Sequence, residues 1–298
     1  MLLVTGATGT TGSEVLRALK DREVPARALV RDETQAHNLR AHGFEPVTGD
    51  LGDPRTLGPA LEGVERAYLV SPAGPMQSEL EQAFIESARE AGVQHVVKLS
   101  VIGANPEAPL RFARSHGTVE HALKESGMAW TLLRPTAFMQ NTLAWGPQVH
   151  EGTFYAPVPD AAVSIIDARD VAEVAAAALT DAAHEGKSYG LSGPEAVSYR
   201  DQAKRIFGAA GREVEVEEVP MEDFKRELVR VGVPPWNAEG LTELFGLYAD
   251  GGATMITTGV IDALGRDPRD LDAFAADHVE AFKAPGGAPA GETGGGPR

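Results

Sequence analysis

Residues 2–19, LLVTGATGTTGSEVLRAL, run from a short apolar stretch through glycines at Gly6, Gly9 and Gly12 into helically spaced apolar positions. A strand that ends in a glycine turn and feeds directly into a helix presents free backbone N–H groups to an anion. Gly6 permits the tight turn, Gly9 lets a pyrophosphate approach the backbone, and Gly12 lets the helix lie close on the strand. Thr8, Thr10 and Thr11 add hydroxyls suited to phosphate oxygens. This beginning constrains the chain to an α/β architecture built outward from a nucleotide-binding first unit.

The 298 residues suffice for a large core, as one α/β domain or as one with a smaller cap. No apolar run approaches the length of a membrane span. The opening residues form a core strand instead of a charged-then-apolar leader, so we expect no secretory signal and a cytoplasmic protein. The chain has no cysteine, which excludes disulfides, thiolate nucleophiles and zinc–thiolate sites. A formal net charge of -16 argues against nucleic acid or anionic membrane as partner, since both need a basic face. An anionic cofactor would need a locally basic site. The expected partner is a small molecule, with the protein a monomer or homodimer.

Strand-like and helix-like segments alternate through the first half. Strands are predicted at 24–30, 44–48, 66–70, 94–100 and 130–133, with helices at 11–20, 33–42, 54–61, 78–91 and 110–126 between them. Near-continuous apolar strands such as HVVKLSVIG suit a parallel sheet covered on both faces, and repeated β-α units give a doubly wound sheet. Beyond Pro135 the spacing is irregular. Short strands are predicted at 154–155, 163–166 and 188–191, and helices at 167–179, 200–209, 221–231, 239–248 and 271–282, with Asp167 capping its helix. We therefore expect a nucleotide-binding domain over 1–150, a small α/β cap over 151–283 with 160–180 returning to the main sheet, and a disordered Gly/Pro/Ala tail over 284–298.

Arg31 ends the second predicted strand, where Asp or Glu reads a ribose 2′-hydroxyl and Arg accommodates a 2′-phosphate. Its forked guanidinium points to NADP(H); the competing reading is a solvated Arg31–Asp32 turn. Asp50 is placed to accept from an adenine amino group, with Leu51 against the ring, whereas Asp53 better suits a helix cap. Ser71, Pro72, Lys98 and Ser100 lie at strand ends, where open α/β sheets bind their ligands, and Pro135 is assigned to the same cofactor edge. Lys98 sits in an apolar strand, so it either contacts a cofactor hydroxyl or lets its stem snorkel outward. Phe112, His116, Glu120 and Leu123 share a helix face. His116 there is a candidate proton donor or carbonyl orienter, with a structural imidazole bonded to a backbone carbonyl or to Glu120 as the alternative. Glu120 pairs with Arg134 in this reading. Phe138, Met139, Asn141 and Trp145, with Trp236 and Phe245 from the cap, are expected to wall an apolar cleft for a flat substrate.

As a set, TGATGTTG, VRD, GDLGD, VVKLSVIGA, the His116–Glu120 helix, TLLRPTAFMQN and LGRDPRDLDAFAADHVEAF resemble the NmrA-like group of atypical short-chain dehydrogenases/reductases, over residues 1 to about 282. The resemblance implies a seven-stranded Rossmann sheet, bound NADP(H) and a small cap forming the substrate cleft. It also implies one of two roles: reduction of quinones, dyes and aromatic ketones, or dinucleotide sensing without turnover. The wider superfamily uses Tyr with Lys four residues on, but residues four beyond Tyr68, Tyr155, Tyr189, Tyr199 and Tyr248 are Pro72, Pro159, Gly193, Ala203 and Gly252. A reductase of this sequence would take its proton from His116, from water or from a substrate hydroxyl beside the reacting carbonyl. The preferred expectation is NADPH-dependent hydride transfer to a quinone or polycyclic aromatic ketone. That role needs an open cleft, which a sensor could fill with side chains.

Overall fold

The computed structural model describes residues 1–149 and 152–283; the expected disordered tail at 284–298 lies outside the described residues. Alternating strands and helices come first: β1 Leu2–Val4, α1 Thr10–Asp21, β2 Ala26–Val30, α2 Glu33–Ala41, β3 Glu45–Thr48, α3 Leu57–Leu61, β4 Arg66–Leu69, α4 Gln77–Glu90, β5 His95–Leu99, α5 Arg111–Glu125 and β6 Ala129–Pro135. Then follow β7 Ala137–Phe138, β8 Thr153–Ala156, β9 Ala162–Ile166, α6 Ala168–Thr180, β10 Lys187–Leu191, β11 Ala196–Ser198, α7 Tyr199–Ala209, β12 Glu215–Glu218, α8 Met221–Arg230, α9 Pro235–Ala249, α10 Gly259–Leu264, α11 Leu271–Asp277 and α12 Val279–Phe282.

Seven parallel strands form the main sheet in the order β10-β6-β5-β4-β1-β2-β3. The order reverses at β1, so the glycine turn lies at the switch point where doubly wound sheets take their ligands. Side-chain alternation sorts the strands between two faces. Leu2 and Val4 join Val15, Leu16, Leu19, Val171 and Val174 on the face covered by α1 and α6, while Leu3 joins Phe84, Ile85, Val119 and Leu123 beneath α4 and α5. The Rossmann sheet and its helices are as expected.

The residues after position 150 are shared between the main sheet and a second core. After position 150, α6 packs on the α1 face, β10 becomes the seventh strand beside β6, and Val260 of α10 enters the same core. β9 does not join the main sheet; it pairs with β11 and β7, and β12 pairs with β8. These short strands, with α7, α9, α11 and α12, enclose a second core that includes Trp145, Phe154, Phe207, Phe274 and Phe282. The helix predicted at 239–248 begins at Pro235, a residue suited to a first helical turn. The one predicted at 271–282 breaks at His278 into α11 and α12. β7, β11, β12 and α10 are too short to carry a period and were absent from the sequence-based expectation. Among the described residues no helix is long and apolar enough to cross a membrane.

A histidine buried at the other end of the sheet sets a pH dependence. His95 is fully buried; its Nδ1 lies 3.0 Å from Arg66 Nη1 and its Nε2 lies 2.9 Å from Thr131 Oγ1. Arg66 can only donate, so Nδ1 accepts and the ring is neutral. Burial, and then the Arg66 charge, lower its pKa from 6.5 to about 4. The folded state therefore binds fewer protons than the unfolded chain between these values. This stability is fully present above 6.5 and is lost as pH falls toward about 4. His95 should contribute a loss of about 2–3 kcal/mol across that window in denaturant titrations, and a His95→Gln change that keeps the fold should remove that part of the loss. A flat profile for the unmodified protein would contradict this.

Candidate active site

The glycine turn is held by contacts that leave its outer side bare. The Thr5 hydroxyl donates to Val70 O and accepts from Val70 N, both at 2.8 Å, which ties the end of β1 to the end of β4. Gly6 has φ +58°, and a Cβ there would lie 2.5 Å from Val70 Cγ1. A Cβ on Gly12 would stand 2.2 Å from Gly6 O, because the first turn of α1 lies directly on the loop. Gly9 differs: its φ is an ordinary -86°, and its Cβ would meet only Gly6 O, at 3.3 Å. It occupies the N-cap position of α1, where no side chain satisfies the first-turn N–H groups. Thr8, Gly9 and Thr10 are exposed around this free helix end. The residues present therefore fit a pyrophosphate. Thr11 corrects the expectation: its side chain is buried beneath the loop, which leaves its backbone N–H for a ligand.

Arg31 follows β2 at the same edge. It is exposed, its backbone N–H donates to Gln35 Oε1 at 3.1 Å, and its guanidinium has no ion-pair partner among the described residues. Asp32 caps α2 by accepting from Gln35 N at 2.9 Å. The acidic neighbour is thus occupied in helix capping, while the basic one is free. Asp50 is exposed and accepts from Gly52 N at 2.9 Å; Asp53 caps the 3-10 turn at Pro54–Thr56, as the spacing suggested. Leu51 is half-buried against the core beneath α4.

At the ends of β4 and β5 lies a polar network that sequence reasoning found only in part. Lys98 is fully buried; its Nζ lies 2.8 Å from Glu81 Oε2 and 3.1 Å from His116 Nδ1, and it also donates to Leu99 O. All three donors are used within the protein, which overturns both the snorkelling alternative and the expected bond to a cofactor hydroxyl. Glu81, also fully buried, accepts through Oε1 from Ser71 N at 3.1 Å and Ser71 Oγ at 2.8 Å. Ser71 thus spends both of its donors on Glu81. His116 bonds neither to a backbone carbonyl nor to Glu120: Lys98 faces its Nδ1, and Gln77 Nε2 lies 3.1 Å from its Nε2. Burial, and then the Lys98 charge, hold its pKa well below 6.5. A neutral ring engaged at both nitrogens is a poor proton donor, which corrects the catalytic expectation.

Since Lys98 donates to Nδ1, the His116 proton sits on Nε2, and the adjacent Gln77 atom must be its oxygen. Rotating that amide also gives a partner to the oxygen otherwise left without one at Gln77. Glu81 and Gln77 were legible in principle. They fall on the buried stripe of α4 with Phe84, Ile85 and Ala88, and a carboxylate there is a misfit that the Lys98 misfit answers. Ser100 donates to Glu120 Oε1 at 2.6 Å, and Arg134 Nε reaches the same oxygen at 2.9 Å, the pairing expected from sequence. That bond likewise commits Ser100 to the protein. Pro135 is buried and ends β6, its carbonyl accepting from Ile102 N at 3.0 Å.

The aromatic wall is only partly as expected. Met139 is buried in the second core, and Trp145 stacks on Phe154 and Tyr199 with centroids 4.6 and 5.6 Å apart. Phe245 lies 5.4 Å from both Tyr199 and Tyr248. These residues satisfy one another, because a flat apolar ring without a ligand gains most by stacking. Met139 and Trp145 as an open wall are therefore corrected to core residues of the smaller lobe, and Phe245 is half-buried against that core. Asn141 is exposed, and Phe138 is half-buried against the main core. Trp236 is placed differently, edge-on to Phe112 at 5.4 Å. Gly240 brings α9 against that ring, since a Cβ would lie 2.5 Å from Phe112 Cζ. Arg111 pairs with Glu243, and Asn237 Nδ2 donates to Ala73 O at 2.9 Å. The head of α9 thus spans from the loop after β4 to the start of α5.

A family model described as the NmrA-like family matches residues 1–275. The NAD(P)H azoreductase of Xenophilus azovorans is 40% identical over 285 residues, covering 95% of this chain and 100% of that protein. The (4-alkanoyl-5-oxo-2,5-dihydrofuran-3-yl)methyl phosphate reductase of Streptomyces griseus is 38% identical over 286 residues, covering 95% and 99%. A crystal structure of the NADPH-dependent quinone oxidoreductase of Escherichia coli complexed with NADPH is similar with a TM-score of 0.82 at 29% identity, covering 93% of this chain and 99% of that one. On the match over 1–275, with relatives aligned along almost their whole length, this chain belongs to the NmrA-like family.

Proposed function

We propose that the protein is an NADPH-dependent reductase that acts on a flat aromatic acceptor, a quinone or a polycyclic aromatic ketone. The observation that carries the cofactor assignment is the bare helix end at Gly9 followed by an unpaired Arg31, in a chain of net charge -16. Such a chain repels anions except where donors are set out for them. The N–H groups from Gly9 to Thr11 would hold the pyrophosphate, and Arg31 the 2′-phosphate. When bound, NADPH supplies the hydride. The acceptor class follows the relatives, which are named as azo, furanone and quinone reductases. Phe112, Phe138 and Trp236 are the half-buried aromatics left to contact it and exclude water.

The protein supplies orientation and dryness more than acid catalysis. Tyr68 is buried within the sheet, Tyr199 and Tyr248 lie in the aromatic cluster, Tyr189 bonds His184 at 2.8 Å, and Tyr155 is exposed on β8. Burial also raises the Tyr68, Tyr199 and Tyr248 phenols above their usual range. The proton comes from a hydroxyl next to the reacting carbonyl or from solvent. Each Tyr→Phe variant is accordingly expected to keep most of the turnover. A loss of about a thousandfold, the scale of a missing general acid, in a variant that folds and binds NADPH would overturn this.

The direct test is a panel of quinones, hydroxylated aromatic ketones and azo dyes, followed by loss of NADPH absorbance. Tight NADPH binding with no oxidation by any acceptor would replace the reductase reading with the sensor. Arg31→Ala should weaken NADPH binding about tenfold or more, the value of a charge-assisted contact of roughly 1.5–3 kcal/mol, and leave NADH almost unchanged. Equal calorimetric affinities of the unmodified protein for the two cofactors would remove Arg31 from the site.

A further inference from the structure

The reductase reading leaves the buried Glu81–Lys98 pair without a task. It is not needed for stability as such: two fully buried charges lose their hydration, and an apolar pair of the same size commonly serves a core as well or better. Its position is informative. Lys98 lies beside Leu69 of β4 and Leu132 of β6, one residue from the end of β5, on the face covered by α4 and α5. Glu81 reaches the same point from α4 and takes both donors of Ser71, the second residue of the loop that leaves β4. Lys98 closes the array onto His116, and His116 onto Gln77 at the start of α4. Both ends of the segment from Ser71 to Gln77 are therefore fixed to one charged centre. Between them lie Pro72 and Ala73, whose carbonyl accepts from Asn237 of α9.

We propose that Glu81 and Lys98 are positioning residues: through Ser71 they set the loop that leaves β4 over the site where the reactive end of the cofactor binds. The proposal rests on the cofactor assignment above. Lys98 orients the Glu81 carboxylate, and Glu81 holds the Ser71 amide and hydroxyl. Ser71 thereby presents the backbone of the next residues to the ligand and keeps its own donors turned inward. The pair contacts neither cofactor nor substrate and transfers no proton.

Two double variants separate this role from plain structure. In K98M/E81Q the charges are gone, but the new amide oxygen still accepts from Ser71; in K98M/E81L both Ser71 bonds are lost. If the pair only supports the core, the two variants differ in stability alone. Positioning predicts a difference at matched stability. Deuterium exchange at the Ser71 amide of the cofactor-free protein should be about tenfold or more faster in K98M/E81L. The kcat for a quinone at saturating NADPH should be about 100-fold lower than in K98M/E81Q, the cost of misplacing reactants by an ångström. Equal exchange and equal kcat in two folded variants would overturn the proposal. Should K98M/E81L fail to fold, Ser71→Ala decides, since it leaves the ion pair intact and removes one of the two bonds. It should weaken NADPH about threefold to tenfold, and an unchanged affinity would overturn the proposal. Failure of the unmodified protein to bind NADPH would instead sink the cofactor assignment, whatever the exchange result.

Discussion

Gly12→Ala should cost the protein both its cofactor site and a large part of its stability, whereas Gly9→Ala, three residues earlier, should cost the site alone. A Cβ on Gly12 would lie 2.2 Å from Gly6 O, 2.6 Å from Gly6 C and 3.0 Å from Thr5 O. All three are backbone atoms, and the Thr5 hydroxyl ties that backbone to Val70. No rotamer relieves such a clash, so α1 must lift from β1 and withdraw Val15, Leu16 and Leu19 from their core. Overpacking of this kind costs about 1–3 kcal/mol or more, and the free N–H groups move with the helix. The Gly9 Cβ meets a single backbone oxygen at 3.3 Å, and its φ of -86° suits any residue. Its methyl would project where the pyrophosphate approaches, for an expected loss in NADPH affinity of about tenfold or more at nearly unchanged melting temperature. Thermal melts with calorimetric NADPH titrations decide the matter. A Gly9→Ala protein that binds NADPH like its parent would place the phosphates elsewhere.

Lys98→Met alone is expected to be among the most destabilising single substitutions in the chain. It leaves the fully buried Glu81 carboxylate without its counterion, and removal of one partner of a buried pair costs roughly 3–5 kcal/mol. For a chain of this size that corresponds to about 10 °C in melting temperature. A second change, Glu81→Leu, should restore part of the loss, because it removes the orphaned charge but leaves the two Ser71 donors without their acceptor. A Lys98→Met protein that melts with its parent would mean that Glu81 takes up a proton or finds another partner. Recovery in the double variant is what lets Ser71-holding and non-holding variants be compared as folded proteins, with conditions chosen to match their stability.

The glycine turn, the alternating units of the first half and the place of Arg31 at the end of β2 were readable from local pattern. Each depends on a few neighbouring residues: Gly6 and Gly12 on the geometry of one turn, Arg31 on its distance from that turn. The same holds for Asp167 capping α6 and for Glu120, whose partner Arg134 lies at the end of the next strand. Tertiary structure alone decided what the misfits of the apolar elements do. Lys98 in a strand and Glu81 on a helix stripe are separately anomalous, and nothing in their spacing says that they meet, because β5 and α4 are brought together by the crossover and not by sequence distance. His116 reads either as a proton donor or as a structural imidazole until Lys98 and Gln77 close on it and burial keeps the ring neutral. Trp145 and Phe245 read as a cleft wall for a related reason. A stripe of aromatics is equally suited to a ligand or to its own neighbours, and only the packing of the smaller lobe, where Phe154 and Tyr199 stack on Trp145 and where Tyr199 and Tyr248 lie against Phe245, decides between them.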